Sequence, residues 1–252
     1  MTKICVPITG HYEAEIKFQA EQIRHAESYP EVSVIEFRYD LAGAVQEEAL
    51  ENLLRRLQDC FRERTILFTI RTDIQGGCFH YDPEKYLAVN ERAIRSGAIG
   101  MLDIEGAREG YETGKPSLED EEITGKLTAL CREYGVKSVL SYHDFSGTPS
   151  LPEILDIFRT LRAQGGDVLK AAFMPETEED VLNVMLATRM FRTEDADMHE
   201  YISMSMGKLG QLSRVAGTLS GADYTFAAVT QASAPGQMEA GDAALVMRKI
   251  FD

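Results

Sequence analysis

The sequence is short of basic residues: 26 Lys and Arg stand against 41 Asp and Glu in 252 residues, a formal charge of −15. That balance excludes a general affinity for nucleic acid or anionic membranes, which carry charge of the same sign. No stretch approaches the roughly 18 consecutive apolar residues of a membrane span. The opening residues, MTKICVPITG, lack the charged-then-apolar build of a signal peptide and read directly as a strand. Cysteine is sparse and scattered, with Cys5, Cys60, Cys78 and Cys131 forming no CxxC pair. Such thiols offer no metal-ligand set and predict a reducing, cytoplasmic setting. Also missing are a GxGxxG after the first strand, a low-complexity segment and a Pro/Gly/Ser linker.

What is present is repetition. Short β-branched or apolar runs begin near residues 3, 32, 65, 98, 137, 168, 200 and 223, with successive starts 23 to 39 residues apart. That spacing accommodates a strand, a crossover helix and two loops, the unit that makes neighbouring strands parallel. Between the runs lie helical stripes, such as Leu50, Leu53, Leu54, Leu57 and Phe61, or Ile154, Leu155, Phe158 and Leu161. Gly97, Gly135 and Gly165-Gly166 stand where helix C-caps are needed, and Thr177 where an N-cap is. The acidic run Glu119–Glu122 reads as the solvated start of the fourth helix. Eight such units without a linker predict an α/β fold of one domain over residues 1–252, a (β/α)8 TIM barrel, with a doubly wound open sheet as the runner-up.

In a barrel, chemistry collects at the C-terminal ends of the strands. Those ends hold Glu36 and Arg38, then Arg71 with Gln75 beyond it, then Asp103 and Glu105, His143, Lys170, and last a turn with Arg214 and a loop with Ser233 and Gln237. Residues two apart share a strand face, so Glu36 sides with Arg38, and Asp103 with Glu105. Buried charges need partners or a wet cavity. A structural ion-pair layer and a functional role are both open for Asp103 and Glu105, whereas Glu36, Arg38 and Arg71 read as substrate contacts on one rim. Lys170 is the single cation in the apolar run VLKAAFM. A lysine there snorkels, pairs with a carboxylate, or acts as a nucleophile. As a nucleophile it would need its pKa lowered by ~3 units through desolvation and nearby cations, at a cost of about 4 kcal/mol. His143 is the only one of the five histidines at a strand C-terminus, and so the candidate general acid/base.

Several motifs together resemble the type I 3-dehydroquinate dehydratases. They are Ser141-Tyr-His-Asp-Phe145 with Thr148-Pro149, Lys170-Ala-Ala-Phe-Met-Pro175, Ser203-Met-Ser-Met-Gly207 with Ser213-Arg214, Ser233-Ala-Pro-Gly-Gln237, and upstream Glu36-Phe-Arg38 and Phe68-Thr-Ile-Arg71. The resemblance runs from the first strand to the last helix. It implies that Lys170 is the Schiff-base lysine and His143 the general acid/base. It implies that Glu36, Arg38 and Arg71 hold the hydroxyl-bearing side of the substrate, and that Arg214 pairs with the ring carboxylate. Ser233 and Gln237 fall in the closing loop, and Met204 lines the ring pocket. It further implies syn elimination of water from 3-dehydroquinate in the shikimate pathway, no metal, no dissociable cofactor and a homodimer. Two positions depart from the family pattern. Gln75 stands where a glutamate commonly partners the catalytic histidine, and Pro7 where the first strand often supplies a hydroxyl. The alternatives are a lysine-dependent aldolase on the same barrel, for which Gly207-Lys-Leu-Gly210 would be the phosphate loop, and a non-catalytic ligand sensor.

Overall fold

Eight runs become eight parallel strands in the computed structural model, which describes all residues but 1, 44, 109, 112–114, 196–197 and 252. The strands are β1 (Lys3–Ile8), β2 (Val32–Arg38), β3 (Thr65–Thr69), β4 (Met101–Glu105), β5 (Lys137–Asp144), β6 (Val168–Phe173), β7 (Glu200–Ser205) and β8 (Tyr224–Phe226). Each pairs with the next, and β8 pairs with β1, so the sheet closes into a barrel in chain order. The open-sheet alternative is thereby removed. Helices α1 (Glu13–His25), α2 (Leu50–Cys60), α3 (Pro83–Arg95), α4 (Leu118–Tyr134), α5 (Leu151–Ala163) and α6 (Glu178–Glu194) follow β1 to β6 in turn. Two short helices, α7 (Gln211–Val215) and α8 (Gly217–Ser220), follow β7, and α9 (Ala240–Phe251) follows β8.

Local chemistry starts and stops these elements where the sequence marks them. Gly97, Gly135 and Gly165 take positive φ values of 68°, 69° and 83° after their helices, while Gly166 does not. Thr177 accepts from the Asp180 amide and closes a capping box at α6. Two boundaries differ from the reading. Residues 98–100 lead into β4 rather than belonging to it, with the Gly100 amide already bonded to the Ile66 carbonyl. Phe61 caps α2 from just outside. The acidic run requires a correction, because Asp120 is buried while its three neighbours are exposed. Its carboxylate accepts from the Ser117 and Gly110 amides and pairs with the buried Arg108 guanidinium at 3.2 Å. Composition identified a charged helix start, but not that one of the four charges would answer an arginine from the preceding loop.

The period of two along every strand builds the barrel in tiers. Val34, Leu67, Met101, Val139, Val168, Ile202 and Tyr224, with Cys5, form an apolar floor to which each strand gives one residue. Two residues further along β2 to β6, the inward positions turn polar: Glu36, Thr69, Asp103, Ser141 and Lys170. Outward-facing residues such as Ile35, Phe68, Leu102, Leu140 and Leu169 join the larger core under the helices. The floor keeps water below the polar tier, which is why the charges above it must find partners sideways.

Candidate active site

The polar tier and the loops above it line a cavity with about 510 Å³ of empty space, mouth included. Every substrate-contact or catalytic candidate from the sequence reaches its wall: Glu36, Arg38, Arg71, His143, Lys170, Met204, Arg214, Ser233 and Gln237. Seven elements or loops contribute, so only closure of the sheet brings them together. Gly76, Phe145, Ala172, Met206, Phe226 and Ala234 complete the lining. These were not singled out from the sequence. For Ala172 and Met206 the signal is the alternation that also places Lys170 and Met204 inward, while Phe226 ends β8 and the others lie in loops.

Lys170 is buried, with its ammonium 2.7 Å from Asp103 Oδ2, 3.9 Å from Glu36 Oε1 and 4.6 Å from the Phe226 ring centre. Of the surroundings left open by the sequence, the nearest charged groups are the carboxylates rather than the cations a lowered pKa would call for. Asp103 in turn accepts from Arg71 Nη2 at 2.8 Å and from the Ser141 hydroxyl at 2.6 Å. Burial alone would push the Asp103 carboxyl up, but Arg71 and Lys170 outweigh it and hold the group well below the usual carboxylate range. Glu105 accepts from Arg71 Nη1, the Thr72 amide and the Thr72 hydroxyl, while its burial raises its pKa despite Arg71. Glu36 accepts from Thr69. Arg71 thus faces the cavity while its Nη atoms are held by Asp103, Glu105 and Ser141. The two open readings of Asp103 merge: it belongs to an ion-pair layer, and that layer touches the lysine.

His143 is fixed by the residue that departs from the family pattern. Gln75 is fully buried, its Nε2 donates to the Ala107 carbonyl at 2.7 Å, and its Oε1 therefore faces the histidine. That oxygen accepts from the His143 amide at 2.9 Å and lies 3.2 Å from Nδ1. A carbonyl acceptor obliges Nδ1 to carry the proton, which leaves Nε2 with its lone pair. Burial, followed by the positive charges of Arg71 and Lys170, lowers the His143 pKa well below the ordinary imidazole value, against an opposing pull from Asp103. The ring is neutral at pH 7. Gly76, which follows Gln75 at φ 79°, must lack a side chain, because a Cβ there would meet the Phe145 ring at 2.5 Å.

The remaining cations differ in how they are engaged. Arg38 is clamped by Asp40 through two bonds of 2.7 Å and reaches the Ser233 carbonyl at 3.3 Å. Among the described residues, no carboxylate pairs with Arg214. Its Nη2 donates to the Pro235 carbonyl, its Nη1 lies 3.0 Å from Met204 Sδ, and its Nε has no partner. Burial pushes its pKa down to about 10. Such a guanidinium is poised for an external carboxylate. Ser233 and Gln237 clasp one another through two 3.0 Å bonds, and the strap they form is tied down where the Gly207 amide donates to Pro235. That amide is therefore already used, which removes a donor from the phosphate loop an aldolase would need. Pro7 is buried in β1 and does not line the cavity.

A closed eight-stranded barrel whose C-terminal mouth holds a buried lysine, a neutral histidine and an unpaired arginine defines a barrel enzyme acting on a small anionic substrate. The family model for type I 3-dehydroquinase matches residues 4–251, and the chain belongs to that family. A 3-dehydroquinate dehydratase of Klebsiella pneumoniae is 34% identical over 252 residues, covering 100% of this chain and 92% of the relative. One from Listeria welshimeri is 34% identical over 251 residues, covering 99% and 91%. The crystal structure of 3-dehydroquinate dehydratase from Geobacillus kaustophilus superposes with a TM-score of 0.88 at 31% identity, covering 99% of this chain and 91% of that one.

Proposed function

We propose that this chain dehydrates 3-dehydroquinate to 3-dehydroshikimate through an imine on Lys170. The observation that carries this reading is the convergence of Lys170, His143 and the carboxylate-free Arg214 on one cavity. Arg214 would hold the ring carboxylate, and Glu36 and Arg38 the hydroxyl-bearing side, with Arg71 setting the charge of the layer beneath. Met204 packs beside the ring, and Ser233 and Gln237 cover it.

The amine of Lys170 adds to the C3 carbonyl and expels one water, leaving a protonated imine. Nζ must first lose a proton. That proton leaves to solvent, because Asp103, held ionised by Arg71, is a poor acceptor. Nε2 of His143 then takes the C2 proton, and the C–H electron pair moves into the imine as an enamine. Return of those electrons expels the C1 hydroxyl, which His143 protonates as it leaves, forming the C1–C2 double bond. Water hydrolyses the conjugated imine, frees Lys170 and releases product. The balance is loss of one water, with no oxidant or reductant required.

The direct test follows absorbance of the conjugated product after adding 3-dehydroquinate. Steady turnover is the expected outcome, and binding without product would favour the sensor reading instead. We propose a reducing cytoplasm as the site of action, in keeping with four free thiols. Among the described residues, no helix is long and apolar enough to cross a membrane. We propose a homodimer as the assembly.

Gln75 provides a second test. Its neutral carbonyl orients the ring without opposing the charges of Arg71 and Lys170. Protonated His143 cannot accept the C2 proton, so activity falls on the acid side as the ring titrates. In Gln75→Glu a carboxylate would favour the imidazolium and raise its pKa. The acid limb of kcat/KM is expected to move to higher pH than in the parent chain. A pH–rate profile with both limbs unmoved would overturn this account of Gln75.

A further inference from the structure

The carboxamide of Gln75 has a direction that a carboxylate would lack. Either oxygen of a carboxylate can accept from His143 Nδ1, whereas an amide has one accepting end and one donating end. Turned over, Gln75 would set its Nε2 against the His143 amide and its Oε1 against the Ala107 carbonyl, donor facing donor and acceptor facing acceptor. Its Nε2 hydrogens would then face His143 Nδ1 and demand the other tautomer, whose protonated ring Nε2 cannot take up a substrate proton. The Ala107 carbonyl, 2.7 Å from Gln75 Nε2, therefore decides together with the His143 amide which ring nitrogen is bare.

That carbonyl belongs to the turn leaving β4. The Gly106 amide donates to the Ser141 carbonyl at 2.8 Å, and the Gly106 carbonyl accepts from Gln164 Nε2 at 2.7 Å. Arg108 shares a peptide with Ala107, is 1% exposed and folds back over the turn. Its Nη1 donates to the Glu105 carbonyl and its Nη2 to the Asp120 carbonyl at 3.0 Å. Its Nε lies 3.1 Å from the Tyr81 hydroxyl and 3.2 Å from Asp120 Oδ1. One arm of the guanidinium thus reaches α4, and the other closes residues 105–108 into a ring around the Ala107 peptide. A side chain that only joined the turn to α4 would need the first arm alone. We propose that Arg108 is a positioning residue for His143: by fixing the Ala107 carbonyl it fixes the direction of the Gln75 amide, and through that amide the tautomer of the base. The inference rests on the proposed dehydration for its kinetic readout only.

Arg108→Lys tests this, because an ammonium keeps the charge beside Asp120 but cannot bridge the Glu105 and Asp120 carbonyls as the planar fork does. Ring nitrogen shifts of the full chain labelled with nitrogen-15 histidine read the tautomer at neutral pH, with His143 assigned against His143→Ala. The parent chain is expected to show a protonated Nδ1 and a bare Nε2. In Arg108→Lys both signals are expected to move toward the average of exchanging tautomers. Its kcat is expected to fall about three- to tenfold at unchanged KM, as the share of competent rings shrinks. In the Gln75→Glu background, where the acceptor has no wrong end, Arg108→Lys is expected to change kcat less than about twofold. Ring shifts unmoved by Arg108→Lys would overturn the proposal. An equal loss of kcat in both backgrounds would also overturn it, since a role in folding alone acts on both. If Arg108→Lys does not fold, Arg108→Met with Asp120→Asn removes the fork without leaving a buried charge unpaired, and the same readouts apply. A parent chain without turnover would overturn the dehydration reading alone, because the ring shifts are read without substrate.

Discussion

Lys170→Ala is expected to lower turnover of 3-dehydroquinate by about 10⁵-fold or more, because the electron sink for C2 deprotonation disappears with the covalent bond. The companion readout is intact mass after incubation with substrate and borohydride. The parent chain should gain a reduced adduct that maps to Lys170, and the variant should gain none. Turnover in the parent chain without an adduct would keep the reaction and overturn the lysine mechanism. The variant also separates chemistry from stability. Removing the ammonium leaves Asp103 with Arg71 Nη2 at 2.8 Å and the Ser141 hydroxyl at 2.6 Å, so the carboxylate layer keeps one of its two cations.

His143→Ala is expected to cost about 10²–10⁴-fold in kcat, the range for loss of one positioned acid/base group. Its signature differs from that of Lys170→Ala, because the imine can still form but proton removal at C2 is slow. The borohydride-trapped fraction of enzyme should therefore rise at steady state while product formation falls. A variant that loses adduct and turnover together would place His143 in imine formation alone. The same residue gives a stability test whose sign follows from its surroundings. Burial, then Arg71 and Lys170, lower its folded pKa below the unfolded value. Between the two values the unfolded chain binds a proton that the folded chain does not. The His143 contribution is therefore fully present above about pH 6.5 and is lost as pH falls toward the folded pKa. Denaturant midpoints should decline less on acidification in His143→Ala than in the parent chain. Equal declines would remove His143 from the acid sensitivity of the fold.

The sequence by itself determined the repeat and the identity of the chemical groups. Strand runs spaced for crossover helices, stripes at three- and four-residue steps and glycine stops are local signals, and local backbone energetics obeys them. The same is true of Lys170 and His143: one cation inside an apolar run and one histidine at a strand end are anomalies visible without any fold. Tertiary structure decided which of the charges answer one another. Asp103 reaches Lys170 and Arg71 across β4, β6 and the end of β3, and pairings between residues 32 and 67 positions apart cannot be read from spacing. Asp120 looked like surface until Arg108 was found against it. For Lys170 the sequence leaves a carboxylate partner open, and the structure identifies it as Asp103, with Glu36 further off. The resemblance assigns Arg214 to a carboxylate, and tertiary structure adds the contrast with Arg38 and Arg71, which are already held by Asp40, Asp103 and Glu105. The physical reason is common to all four. A strand's alternation fixes which side chains point inward, but the free energy of a buried charge depends on its neighbours, and those are set by closure of the barrel.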